Sequence, residues 1–231
     1  MILSDYLHLA HRIDRAMARR YCPELVGIVL DVGCGRQPYR RFLGPGTTYI
    51  GMEMSAELEP DIVGSVLALP VRSGSLDGIL CNEVLEHVPE PGAALAEMHR
   101  ALRPSGRAYL TVPQSWGLHY EPQDYYRYTK YGITYLLEKH GFRVRSMDRM
   151  GGLFSYTAVR LLDLLVTGPL FGLCDRIGLR RGRYRLAALL VLPLNLVLIP
   201  IVTVLDRLDA TNAYGWAVLA DKAPVREGEP A

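Results

Sequence analysis

Short apolar runs alternate with helical stretches along this chain, and that order restricts the fold most. GIVLDVG (27–33), TYIGMEM (48–54), LDGILCN (76–82) and GRAYLTVP (106–113) read as buried strands. GAALAEMHRAL (92–102) and KYGITYLLEKHGF (130–142) have helical periodicity, and Pro104, Gly106 and Gly141 stop them. A further strand is expected over 144–150, and YGWAVLADK (214–222) alternates like a last one. Strands alternating with helices predict a mostly parallel sheet covered on both faces, the α/β doubly wound class. Upstream, Leu3, Leu7, Ala10, Ile13 and Met17 recur at helical spacing and predict an amphipathic helix on this domain. Charges interrupt that stretch, so a signal peptide is not expected.

With 231 residues, 49% hydrophobic and 22% charged, the chain can bury one large core plus an elaboration. A net charge of +2 gives no chain-wide field for nucleic acid. Cys22, Cys34, Cys81 and Cys174 form no C-x-x-C pair. Free thiols in a reducing cytoplasm, and no metal site, are the expectation.

The first strand ends in LDVGCGRQP (30–38). Gly33 and Gly35 let the backbone turn tightly and approach a ligand. A nicotinamide fingerprint needs a third glycine where Pro38 stands, which argues against a pyrophosphate. Glu53 closes the second strand about twenty residues on, where a carboxylate can accept from ribose hydroxyls. Loop and acid together fit a nucleoside.

These segments, with LPVRSGSLDGILCNEVLEHVPEPGAALAEMHRALRPSGRAYLTVP (69–113), resemble the successive motifs of class I S-adenosylmethionine-dependent methyltransferases of the type 11 group. The likeness runs over about 29–144. It implies a Rossmann-like, seven-stranded, mostly parallel sheet and S-adenosyl-L-methionine as cofactor. Carried over by residue, Asp31, Gly33 and Gly35 would line the methionine part, and Glu53 would hold the ribose. Met54 would lie against the adenine, with Leu85 packing on the adenine side. Ser65 stands where the family commonly has Asp, a stronger acceptor for the adenine amino group, and the backbone at Val66 would share that contact. Asn82 and Glu83 would close the fourth strand under the sulfonium. Glu86 and His87 read either as belonging to the site or as a helix start favoured by the macrodipole. Arg36, Tyr39 and Arg40 read as cofactor-rim groups or as caps of a following helix.

Methyl transfer from a sulfonium is a direct displacement, so the protein mainly aligns the reactants, and a hydroxyl acceptor gains from a base. PQSWGLHYEPQDYYRYTKYG (113–132) is loop-like and rich in Tyr, His, Asp and Arg. His119 is the expected base, and Asp124 orients it or serves in its place. Tyr125, Arg127 and Tyr128 are the substrate-side candidates, though both tyrosines also suit plain packing. Together with CGRQPYRRFL and GGLF, the segment also resembles a bacterial type 11 subset often associated with envelope glycan or lipid biosynthesis, a resemblance that fixes no substrate; a small-molecule, glycan or lipid-linked acceptor is expected. A non-catalytic cofactor-binding module of the same fold is the alternative. The loop has few cations, so nucleic acid is not an expected partner.

Domains are expected at 1–153 (the core with its N-terminal helix), 154–211 (a hydrophobic helical insertion) and 212–223 (the last core strand), with a disordered tail over 224–231. The run LAALLVLPLNLVLIPIVTVL (186–205) has the length of a bilayer span. The other apolar stretch, 161–174, is about fourteen residues long, carries Asp163 and is interrupted by Gly168 and Pro169, so it reads as too short to cross. A single crossing would separate strands that are expected to be neighbours. The segment should therefore lie in, or dip into, one membrane face, with Arg176, Arg180, Arg181, Arg183 and Arg185 on anionic head groups. A cytoplasmic protein, peripheral on the inner face of the cytoplasmic membrane, is expected; burial of the same surface in a core or a homodimer is the alternative.

Overall fold

The computed structural model describes residues 8–179 and 183–223. The expectations for 1–7, 180–182 and the tail 224–231 lie outside the described residues. Seven strands form one sheet in the order β3-β2-β1-β4-β5-β7-β6. They are β1 (Ile28–Val32), β2 (Thr48–Glu53), β3 (Ile62–Val63), β4 (Leu76–Asn82), β5 (Leu102–Pro113), β6 (Phe142–Met150) and β7 (Gly215–Lys222). β1, β2, β3, β4 and β5 pair in parallel, whereas β7 runs antiparallel to β5. The helices are α1 (His8–Tyr21), α2 (Pro91–Ala101), α3 (Lys130–Lys139), α4 (Leu153–Leu162), α5 (Gly168–Arg176) and α6 (Arg183–Leu205).

The chain divides into two compact units. Among the described residues, the larger comprises 17–148 and 215–223. Its core is built on one face of the sheet by Leu30, Ile79 and Leu110 with Leu95 and Met98 of α2 and Ile133 and Leu137 of α3. On the other face Tyr109 is fully buried, and Tyr21 at the end of α1 stacks on it with ring centroids 5.3 Å apart. Both faces of the central strands are thus covered, which is why those strands read as near-continuous apolar runs.

The connection from β1 to β2 departs from expectation. Among the described residues it holds no α-helix, only a 3-10 turn at Arg40–Phe42. Arg36, Tyr39 and Arg40 therefore cap no α-helix; Tyr39 stands at the N-cap of the 3-10 turn without a side-chain capping bond. Pro38 and the Gly44-Pro45-Gly46 stretch leave too short a run for helical propagation.

Among the described residues, the second unit joins 8–16 to 149–179 and 183–214. The start of α1 therefore groups with the helical segment rather than with the sheet. Leu9 and Ala10 are buried, and a Cβ on Gly151 would lie 3.1 Å from Ile13. The Tyr214 amide donates to the Met150 carbonyl at 3.0 Å, so the segment leaves and rejoins the sheet at one place. The Asp206 carboxylate binds the first turn of α4. It accepts from the amides of Gly152 (3.0 Å), Phe154 (3.0 Å) and Ser155 (3.1 Å), and from the Ser155 hydroxyl (2.5 Å).

The reading of 161–174 as too short to span a membrane is corrected. A π-helical turn at Asp163–Thr167 joins α4 to α5, giving one helical run, Leu153–Arg176, of 24 residues. The wider turn leads directly into α5, whose first two residues are Gly168 and Pro169. By length and composition this run could cross a membrane, and only 20% of its most apolar stretch is buried. Asp163 is paired with Arg160 at 3.1 Å. α6 continues through Pro193 and Pro200 as one helix of 23 residues.

Candidate functional site

Strand order reverses at β1, which lies between β2 and β4. A crevice opens beyond the carboxyl ends of such strands. Val32 of β1 leads directly into Gly33, at φ +70°, where a Cβ would sit 2.5 Å from a methyl of Val84. Only glycine satisfies both the left-handed backbone and that close approach. The amides of Gly33 and Cys34 donate to the Met52 carbonyl at 2.9 and 3.0 Å, pinning the turn to β2. Gly35, at φ +50°, has open space where a side chain would be, and its amide donates to Glu53 Oε2 at 3.1 Å. Glu53 Oε1 accepts the Met54 amide at 2.8 Å. A carboxylate has about four lone-pair positions, so roughly two remain for hydroxyls of a ligand. Beside it the Met54 side chain is 75% exposed and can take a planar base.

Asp31 lies deep at the end of β1, and the Tyr49 hydroxyl donates to it at 2.7 Å. Burial pushes its pKa up to about 7, the Tyr49 hydrogen bond opposes the shift and the Glu53 charge adds to it. At β4, Asn82 Nδ2 donates to the Tyr39 hydroxyl at 2.9 Å, and Asn82 Oδ1 accepts the Thr111 hydroxyl at 2.8 Å. Glu83 adopts φ +52°, with its amide held by the Thr111 carbonyl (3.2 Å) and hydroxyl (3.1 Å). Such strain in a non-glycine residue persists where surrounding bonds over-determine it. An adenosine with a cationic tail fits this set: a carboxylate with spare lone pairs, an open glycine approach and a buried acid that gains from a cation. Ser65 and Val66 lie in the turn after β3, and the Ser65 hydroxyl accepts the Leu67 amide at 3.2 Å. Leu85 is fully buried in the core beneath this rim.

The loop 114–129 is fastened to the 3-10 turn Leu85–His87. The Tyr125 and Tyr126 amides donate to the Glu86 carbonyl at 2.8 and 3.3 Å. The Tyr128 hydroxyl, which is buried, donates to the Leu85 carbonyl at 3.0 Å. Arg127 grips Asp124 with two bonds of 2.7 and 2.8 Å and also donates to the carbonyls of Trp116 and Gly117. That guanidinium holds the Asp124 carboxyl well below the usual carboxylate range. Asp124 Oδ2 also accepts the His119 amide at 2.9 Å and lies 3.4 Å from His119 Nδ1. So engaged, Asp124 orients His119. Burial lowers the pKa of His119. Tyr125 is half-exposed at the rim, whereas Tyr128 supports the turn from below.

The structure also gathers residues that sequence reasoning left undecided or missed. Tyr39 bridges to Asn82, and Tyr49 bonds Asp31. Glu86 is fully buried, and burial pushes its pKa up to about 8. His87 packs edge-on to His119, ring centroids 4.6 Å apart. A side chain fixed by a strand end and one fixed by a loop leave no joint periodic signal.

The family model of the methyltransferase domain, type 11, matches residues 30–110. A ubiquinone biosynthesis O-methyltransferase of Xanthomonas oryzae pv. oryzae is 31% identical over 122 residues, 46% of this chain and 47% of that one. The chain spans less than half the length of the curated relatives it first matches. Among solved structures, a 1,6-didemethyltoxoflavin-N1-methyltransferase of Burkholderia thailandensis, bound to its namesake compound and S-adenosylhomocysteine, aligns at TM-score 0.54 and 19% identity. That alignment covers 90% of this chain and 79% of the other. The (4+2) cyclase SpnF aligns at TM-score 0.59 and 16% identity, covering 93% and 80%. Residues 30–110 match the methyltransferase domain of the type 11 group, and the glycine turn, the acid closing β2 and the strand order agree with that match and with S-adenosylmethionine as the cofactor.

Proposed function

We propose that this protein transfers the methyl group of S-adenosylmethionine by direct displacement to a small-molecule, glycan or lipid-linked acceptor. The observation that carries the reading is the Glu53 carboxylate, tied to the Gly35 amide with lone pairs to spare, at the point where strand order reverses. Asp31 faces the cationic methionine part, Met54 the adenine, and Asn82 and Glu83 the sulfonium end. When bound, the cofactor supplies an activated methyl group. The chain's own groups hold, align and exclude water. His119, oriented by Asp124, is the acceptor-side group able to take a hydroxyl proton, and Tyr125 and Arg127 border it. Calorimetry with S-adenosylmethionine and mass spectrometry of cell extracts treated with enzyme and deuterated-methyl cofactor test this together. Binding plus a labelled product supports it. Binding with no labelled product from any extract favours the non-catalytic module, and absence of binding removes both. His119→Ala should cut turnover without changing cofactor affinity; an unchanged rate on the true acceptor removes the acceptor-side assignment.

A membrane-peripheral location is proposed on a separate observation. Leu161, Leu164, Leu165 and Leu173 on the first helical run, and Leu196, Val197, Ile201 and Val204 on α6, are exposed apolar side chains. Clusters of this kind mark lipid or protein contacts. In sequence Arg176 ends the first run, Arg180 and Arg181 lie between the helices, and Arg183 and Arg185 open α6. β7 beside β6 argues against a single crossing, and the 24-residue run is compatible with a two-helix hairpin in the bilayer as well as on it. Flotation with anionic liposomes tests this. Full-length protein that stays at the bottom, monodisperse without detergent, would refute a lipid role and leave the buried-core reading.

A further inference from the structure

We propose that Glu86, His87 and His119 bind a single divalent cation of the zinc class, clamping loop 114–129 to the turn Leu85–His87. One donor atom from each residue lies within 4.8 Å of the others. A tetrahedral zinc ion at about 2.0–2.1 Å separates its donors by roughly 3.3 Å, so a small contraction of this set makes a site.

Proton placement supports it. His87 Nδ1 lies 2.5 Å from the Gln123 carbonyl, which can only accept, so Nδ1 carries a hydrogen. In the neutral ring Nε2 is then a bare lone pair, and it lies 3.6 Å from Glu86 Oε1. Two acceptors facing each other repel unless a cation or a proton lies between them. His119 repeats the pattern: its Nδ1 lies 3.1 Å from the Gly117 carbonyl and 3.4 Å from Asp124 Oδ2. That leaves Nε2 of His119 as a second bare lone pair. Ring nitrogens held by a carbonyl or a carboxylate are how metal-binding imidazoles are oriented. The third observation is independent of the rings. Glu86 is 0% exposed, and among the described residues neither carboxylate oxygen has a geometric hydrogen-bond partner, the Arg127 charge nearby offsetting its burial only in part. A buried carboxylate without donors is costly unless a cation or a proton neutralises it. Two imidazoles and one carboxylate suit zinc, cobalt or manganese better than magnesium or calcium, which prefer all-oxygen shells.

Three protein donors leave a coordination position open. His87 and His119 are partly exposed, so water or an acceptor hydroxyl can reach the ion. An ion there lowers the pKa of a bound hydroxyl and replaces His119 in that task. Only this last role rests on the methyl-transfer reading; binding of the ion does not.

The test uses full-length protein without a histidine tag, stripped by chelator and titrated with Co2+. Visible absorption reports the ligand field, and calorimetry reports affinity. Saturation at a single ion per chain is expected, with Glu86→Gln, His87→Ala and His119→Ala each weakening it about tenfold or more. His140→Gln, at a histidine outside the cluster, should bind like the parent. Circular dichroism melting follows folding separately, and the isosteric Glu86→Gln guards against mere loss of packing. Failure of the parent to bind Co2+, or equal binding by all three variants, overturns the proposal and leaves Glu86 neutralised by a proton.

Discussion

The Gly35 amide and the Glu53 carboxylate meet at 3.1 Å across the top of two neighbouring strands, so the glycine turn and the end of β2 form one unit. Glu53→Ala should weaken S-adenosylmethionine binding by about 1.5–3 kcal/mol, the usual worth of hydrogen bonds to a charged group. Calorimetry on a variant with an unchanged far-ultraviolet spectrum measures it; unchanged affinity would mean that Glu53 serves the turn alone.

Asp31 gives a pH signature. Burial raises its folded pKa to about 7, above the ordinary value of 3.8. The folded chain therefore keeps a proton that the unfolded chain gives up. Stability should fall as pH rises between these values, by at most about 1.4 kcal/mol per unit, and level off above them. A cationic ligand next to Asp31 favours the charged form, so cofactor affinity should rise with pH over the same window, with proton release on binding. Asp31→Asn should flatten both profiles. Urea unfolding and calorimetry in buffers of different ionisation enthalpy supply the two readouts.

Much of this was legible in the chain itself. Strands β1, β2, β4 and β5 and helices α2 and α3 follow from apolar runs bounded by Gly and Pro, because buried parallel strands leave no polar face to blur the pattern. The missing helix after Gly35 was harder to foresee. A strand-to-helix turn is the common outcome of such a loop, and only Pro38 and the closing Gly-Pro-Gly stretch oppose it here. Two-residue β3 carries too little pattern to be read. The helical run through Gly168 and Pro169 was hidden because those residues ordinarily break helices, and the π turn that leads into them has no sequence signature. The pairings of Tyr39 with Asn82, and of Glu86 and His87 with His119, depend on loops brought together by the sheet.

Arg127 should prove structural before it proves anything else. Its two bonds hold the Asp124 carboxylate, which is 1% exposed. Arg127→Ala leaves that carboxylate only the His119 amide and ring, and stability should fall by at most about 3–5 kcal/mol, the range for a fully buried pair. Arg127→Lys should recover only a fraction, because a single ammonium cannot reproduce the fork. Denaturant unfolding and protease cleavage within 114–129 read the effect.

Asp206 makes a parallel case in the helical unit. One carboxylate accepts four hydrogen bonds at the start of α4. Asp206→Ala removes both a cap and the favourable charge at a helix N-terminus, about 2–4 kcal/mol together. Hydrogen exchange should speed up at Phe154 and Ser155 in this variant while the amides of β1 and β4 keep their protection. Uniform protection throughout would show that the cap contributes little.

The hydrogen bond from Tyr214 to Met150 gives the helical segment the standing of a very long loop. Chain enters and leaves it at a single point, and closure entropy grows only logarithmically with what lies between. As far as loop closure goes, residues between 151 and 213 can lengthen or shorten at little cost, with the contact of Gly151 to Ile13 of α1 kept. A lineage can thus re-address such an enzyme, to a bilayer or to a partner, without disturbing the strands that carry its chemistry.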